Sequence, residues 1–150
     1  MINSICVEAF AMIEYLNRGF GIIWLTPLSE DPPDFIVVAP DQSFAVNFEV
    51  KCKVIEANIS SMFKAFSEGV RDLSKSDKLG KEPSVVVVHN LKDLGWAAWL
   101  DSKEVEEKFQ KRLLKEEYKN VSGAIFFGGI EERVKENSSQ RGYKTVAFRF

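Results

Sequence analysis

Asp34, Glu49 and Lys51 are the residues of this chain whose types and spacing are best suited to chemistry. Side chains alternate faces along a strand, so in the run FAVNFEVKC (44–52) Glu49 and Lys51 share a face, about 7 Å apart. Ala45 and Asn47 lie on that face too, while Phe44, Val46, Phe48, Val50 and Cys52 point the other way. PDQS (40–43) has the composition of a tight turn, which predicts a hairpin between this run and FIVVA (35–39). Asp34, at the head of FIVVA, then falls beside the end of the following strand, and two acids and an ammonium converge at one sheet edge. Carboxylates held a few Å apart repel, and a shared proton, a neighbouring lysine or a divalent cation relieves the repulsion. Mg²⁺ suits such a place, because it prefers oxygen ligands and needs only one or two protein carboxylates when phosphate and water supply the rest. The cation polarises a phosphodiester and acidifies a bound water. A lysine alongside orients that water and offsets the charge growing on the phosphate.

The elements that must position these groups follow from periodicity and turn residues. Residues 4–17 are nearly continuously apolar, without Pro or Gly, and Cys6, Ala9, Phe10, Ile13 and Leu16 recur at helical spacing. This predicts a helix with that stripe toward the core, ended by Asn17-Arg18-Gly19. GIIWLT (21–26) reads as a strand stopped by Pro27. From 58 to 75, Ile59, Met62, Phe63, Phe66, Val70 and Leu73 mark one face of an amphipathic helix. SVVVV (84–88) predicts a strand covered on both faces, whereas WAAWL (96–100) is ambiguous between strand and helix start. Asp101 followed by Glu104 resembles a capping box opening a charged helix to about residue 119. GAIFF (123–127) and TVAFRF (145–150) read as strands, with 131–142 a polar, mobile connection. The order is helix, three strands, helix, strand, helix, strand, strand. It predicts one α/β domain over 1–150, with a mixed central sheet flanked by helices.

Composition narrows the partners. With 150 residues, 45% hydrophobic and 28% charged, the chain is long enough for one core. No apolar run approaches the roughly 20 residues of a membrane span, and no signal-type segment opens the sequence. The expectation is a soluble, cytoplasmic protein with no membrane partner. Cys6 and Cys52 form no Cys-x-x-Cys pair and read as buried apolar fillers in a reducing compartment. A net charge of −2 gives no general attraction for nucleic acid, so any such contact must be local. Lys51, Lys53, Lys64, Arg71, Lys75, Lys78 and Lys81 are offset by Glu56, Glu68, Asp72 and Asp77. Within that set, Lys53, Lys64 and Arg71 are the candidates for phosphate contacts.

Pro33-Asp34, followed by Glu49-Val50-Lys51 with apolar Phe48 before the acid, resembles the signature of the PD-(D/E)xK nuclease superfamily. Roughly residues 4–90 are similar in particular to archaeal Holliday-junction resolvases: a helix bearing a Glu, a Gly-Phe pair as at Gly19-Phe20, a strand, the Asp, a hairpin and the Glu-x-Lys. The resemblance implies a restriction-endonuclease-like fold and a Mg²⁺-dependent endonuclease, with Mn²⁺ as substitute. It implies Asp34 and Glu49 as metal ligands and Lys51 in catalysis. Glu8, which stands about as far ahead of Gly19-Phe20 as the family's helical Glu, would support the metal or its water shell. It also implies DNA rather than RNA as substrate, and a homodimer pairing two sites across a twofold axis. At about 100° per residue, Glu8 lies well away from the Phe10/Ile13 stripe and Glu14 nearer its border, so periodicity does not choose between them. The family's basic character is missing, and the helix at 101–119 is charged rather than basic, which weakens the resolvase likeness more than the nuclease one.

Simpler roles compete with these. A Glu-Lys pair at a solvated strand edge is worth only a fraction of a kcal/mol. A non-catalytic nuclease-fold binding or scaffold domain, acting with a protein or nucleic-acid partner, is the alternative consistent with the acidic balance. His89 reads as a satisfied strand-end histidine, and Trp96 and Trp99 as core or interface residues rather than base-stacking platforms. Gly128-Gly129 lacks the rest of any phosphate-loop pattern and reads as a turn, as does Asp41.

Overall fold

The computed structural model describes residues 8–9, 11–13, 15–28, 32–53, 58–75, 82–90, 102–127, 131–135, 138–142 and 145–149. The first helix, α1, is helical at 8–9, 11–13 and 15–16. Three antiparallel strands follow: β1 (Gly21–Trp24), β2 (Phe35–Val38) and β3 (Ala45–Lys53). Helix α2 (Ile59–Ser74) crosses to β4 (Ser84–Asn90), parallel to β3. Helix α3 (Lys103–Leu113) and a 3-10 turn (Glu116–Tyr118) lead to β5 (Gly123–Phe127), parallel to β4. The strands β6 (Glu131–Lys135) and β7 (Ser138–Gly142) pair only with each other, and β8 (Thr145–Arg149) returns antiparallel to β5. The main sheet thus runs β1-β2-β3-β4-β5-β8, mixed, with helices on both faces. The expected α/β architecture with a mixed, helix-flanked sheet is the one observed.

Alternation along the central strands divides the core in two. Val86 and Val88 of β4 pack with Ala124 and Phe126 of β5 against Met62, Phe66 and Phe109 of α2 and α3. Val87 points the other way and joins Phe35, Val37, Phe48, Val50, Ala11 and Met12 under α1. The uniformly β-branched run is therefore covered on both faces, as its composition predicts. Asn58 caps α2, its side chain accepting the Ser61 N–H at 2.8 Å, and the buried face is the predicted Met62, Phe63, Phe66, Val70 and Leu73, with Ile59 packed at its margin. Gly69 lets α2 approach the sheet closely, since a Cβ there would stand 2.4 Å from Cγ1 of Val86. The Phe63 and Phe109 rings, 4.7 Å between centroids, join α2 to α3.

Several expectations are corrected. The buried face of α1 carries Glu8, Ala11 and Met12, while Ile13 and Leu16 of the expected stripe are 50% and 52% exposed. In a segment that is apolar almost throughout, spacing does not single out a face. The register follows from specific contacts: Tyr15 against Phe20 and Phe48, and Glu8 against Trp24. The helix expected over 101–119 is shorter at both ends. Ser102 rather than Asp101 caps it, accepting the Val105 N–H at 3.2 Å, and it stops at Leu113. The polar stretch 131–142 contains the β6–β7 pair, because backbone pairing requires no apolar periodicity. β1 ends at Trp24, β3 runs on to Lys53 and β4 to Asn90, so His89 lies buried within a strand rather than after one. The expectations for Cys6, Phe10, Glu14, residues 96–100 with Trp96 and Trp99, and Gly128-Gly129 lie outside the described residues. Among the described residues no helix is long and apolar enough to cross a membrane.

Candidate active site

Asp34 precedes β2 and is held from three directions. Its N–H donates to the Phe48 carbonyl at 2.9 Å, and its own carbonyl accepts from Leu25 N at 2.9 Å and Thr26 N at 3.1 Å. The side chain accepts the Val50 N–H at Oδ2 (2.7 Å) and the Thr26 hydroxyl at Oδ1 (3.3 Å). Since Phe35 pairs with Phe48, Asp34 continues the register opposite Glu49, and Glu49, between Phe48 and Val50 of the α1-side cluster, faces the α2 side of the sheet. The hairpin turn that creates this register is built as expected, with Asp41 Oδ1 accepting from Ser43 N at 3.0 Å. The acids meet at the middle of β3 rather than at its end, because the strand continues to Lys53.

Burial pushes the Asp34 carboxyl up to about 6; the Glu8 charge adds to this, against the Val50 and Thr26 hydrogen bonds and the Lys51 charge. Glu49 is only 5% exposed. Burial first, and the Asp34 charge second, push it up to about 7, with Lys51 opposing. Oε1 of Glu49 is 3.2 Å from Lys51 Nζ, whereas Oε2 is buried and has no hydrogen-bond partner among the described residues. The Lys51 ammonium also contacts Asp72 Oδ2, from α2. Burial alone would lower the Lys51 pKa, but Asp72 and Glu49 outweigh it and hold the ammonium above its ordinary value. On Asp72, burial is likewise outweighed, by Lys51 and Lys75, and the carboxyl stays below its usual range.

Glu8, from α1, is 3% exposed, and its Oε2 accepts the Trp24 indole N–H at 3.0 Å. Its influence on Asp34 places its charge within electrostatic reach of that carboxyl. Lys53 is ion-paired with Glu68, while Lys64 and Arg71 lie exposed on α2, two turns apart on one face. Burial holds the imidazole of His89 below its ordinary value.

By composition alone, Asp72 and Glu68 are charges that dilute a basic stretch. Their spacing held a stronger signal. Residues four apart on a helix are separated by about 6 Å along its axis, and residues two apart on a strand by about 6.6 Å. A helix packed along β3 therefore sets Glu68 and Asp72 against Lys53 and Lys51 in register, which is the observed pairing.

Whether the site suits a divalent cation is decided by its donors. Among the described residues no group of three His, Cys, Asp or Glu side chains is arranged to hold a metal ion. Asp34 and Glu49 remain, two hard oxygen donors, and the orphaned Glu49 Oε2 is a buried acceptor of the kind a cation satisfies. Leaving such a group unsatisfied costs about 1–3 kcal/mol or more. Two carboxylates suffice for Mg²⁺ when substrate phosphate and water complete its shell, so the residues present fit. No protein-family model matches the chain, and no curated protein or solved structure matches it significantly.

Proposed function

We propose that the chain is a Mg²⁺-dependent nuclease of restriction-endonuclease-like fold that hydrolyses phosphodiester bonds in DNA. The observation that carries this reading is the facing pair Asp34 and Glu49, both acids raised toward neutrality by burial, with an unsatisfied carboxylate oxygen and the Lys51 ammonium alongside. The element order supports it too: a Glu-bearing helix, an antiparallel meander with the acid ahead of its second strand and Glu-x-Lys in its third, then a helix crossing to a parallel strand. Asp34 and Glu49 would hold Mg²⁺, or Mn²⁺ in its place, with Glu8 behind them oriented by Trp24. Bound there, the cation supplies Lewis-acid polarisation of the scissile phosphodiester. Lys51 Nζ would donate to the attacking water or to a phosphate oxygen, offsetting the negative charge that builds as the water oxygen bonds to phosphorus in line and the bond to the leaving oxygen breaks, the water losing its proton to solvent and the leaving oxygen taking one from it. Lys64 and Arg71, exposed on α2, would contact backbone phosphates. DNA is chosen over RNA on the sequence resemblance alone. The ion pair Lys53–Glu68, which occupies one of the candidate phosphate-contacting lysines, favours as second reading a non-catalytic nuclease-fold binding domain.

The deciding experiment is cleavage of supercoiled plasmid, single-stranded DNA, a four-way junction and RNA with Mg²⁺ or Mn²⁺, by wild type and Lys51→Ala. The expected outcome is metal-dependent cleavage of a DNA substrate that falls by at least about a hundredfold in the variant. Folded wild-type protein that cuts nothing would transfer the assignment to the binding domain.

A further inference from the structure

Asp72 lies outside the Asp34, Glu49 and Lys51 constellation in sequence and on a different element, yet it touches the group assigned to the chemistry. An ammonium has three N–H donors and no acceptor. Glu49 Oε1, at 3.2 Å, and Asp72 Oδ2 engage Lys51 Nζ from the strand and the helix, which leaves one donor for a reacting group. With Glu49 alone, the four-carbon stem would be free to turn that donor away.

Asp72 is itself held. Its Oδ1 accepts from Lys75 Nζ at 3.2 Å, so each carboxylate oxygen serves one lysine. The helix that carries it is fixed on either side of Asp72 by buried Val70 and Leu73, and one turn earlier by Gly69 against Val86. The Asp72 side chain is 28% exposed, and an ion pair of that kind adds little to folding stability. Its placement is better explained by what it does to Lys51.

We infer that Asp72 is a positioning residue for Lys51, fixing the ammonium against Glu49 so that its remaining N–H is presented to the attacking water or the scissile phosphate. This rests on the nuclease reading above. Asp72 touches neither substrate nor cation in this role, and its loss acts on turnover rather than on binding.

The test is steady-state cleavage by the full chain with Mg²⁺, on the DNA substrate that wild type cuts best, comparing Asp72→Ala and Asp72→Asn. A misdirected Lys51 predicts a kcat lower by about tenfold to a hundredfold in Asp72→Ala, with KM within about twofold. Affinity for uncut DNA in EDTA should be equally unaffected. Asp72→Asn, which keeps an acceptor oxygen at the same reach, should recover most of the lost kcat, an outcome that a purely structural role would not produce. Asp72→Leu, similar in shape and without an acceptor, replaces the alanine variant if that does not fold. An unchanged kcat, a rise in kcat, or a change confined to KM overturns the inference. If wild type cuts nothing, or Lys51→Ala cuts as well as wild type, the nuclease reading falls and this inference with it. Loss in Lys51→Ala with full activity in Asp72→Ala sinks the role of Asp72 alone.

Discussion

Asp34 and Glu49 bind protons more tightly in the folded chain than in the unfolded one. Their ordinary values are 3.8 and 4.5, and in the fold they stand at about 6 and about 7. A raised acid favours folding below its unfolded value, and that contribution is lost as pH rises through the folded value. The window for the metal-free protein is therefore about pH 4 to 7. Each shift corresponds to roughly 3 kcal/mol, so a loss of a few kcal/mol is expected between pH 5 and pH 8, read as a falling Tm. Glu49→Gln should flatten the curve. A Tm in wild type that rises with pH across this range would contradict the buried, mutually repelling pair. The lowered carboxyls Asp41 and Asp72 act with the opposite sign below this window, and the lowered imidazole of His89 acts with the opposite sign within it, so the contribution of the acid pair is read as the difference between wild type and Glu49→Gln. Asp34, Glu49 and Lys51 are readable from sequence because strand alternation and one tight turn are local rules. Asp72, 21 residues beyond Lys51, comes to the site only through the packing of α2 along β3, which no local rule specifies.

At the scale of elements, α2 carries its face openly in its sequence, since apolar and polar residues separate cleanly around it. α1 does not. With so many apolar residues, its orientation is decided by partners on β1 and β3, and the buried side is the one bearing Glu8. The contact between α2 and β4 is the tightest described for a glycine, and it gives a sharp expectation. In Gly69→Ala the new methyl must displace Val86, an overpacking cost of about 1–3 kcal/mol despite the better helix propensity of alanine. Chemical denaturation should show a lower midpoint with an unchanged slope, and a stabilised variant would mean that the helix has room to lift. Because Asp72 sits one turn beyond Gly69, lifting α2 would also draw the carboxylate away from Lys51.

For the molecule as a whole, the sheet order places a parallel centre, β3-β4-β5, between antiparallel flanks. The first half of that order is predictable, because a hairpin and a crossover helix leave few alternatives. The β6–β7 pair is not, since its sequence is polar and shows no apolar alternation. A ligand held only by the folded state stabilises the whole cooperative unit. Mg²⁺ at 100 times its Kd should therefore add about 2.7 kcal/mol, seen as a raised Tm in wild type and absent in Asp34→Ala. No response in wild type would argue against a metal centre at the acid pair. The Val50 N–H that binds Asp34 Oδ2 at 2.7 Å adds a different handle on the same event. Here a strand amide is bonded to a side-chain carboxylate instead of a neighbouring carbonyl, so its magnetic resonance frequency follows the charge on that oxygen. Arrival of a proton or a cation at Asp34 is thereby written into the spectrum of one backbone atom on β3, legible without label chemistry, substrate or turnover.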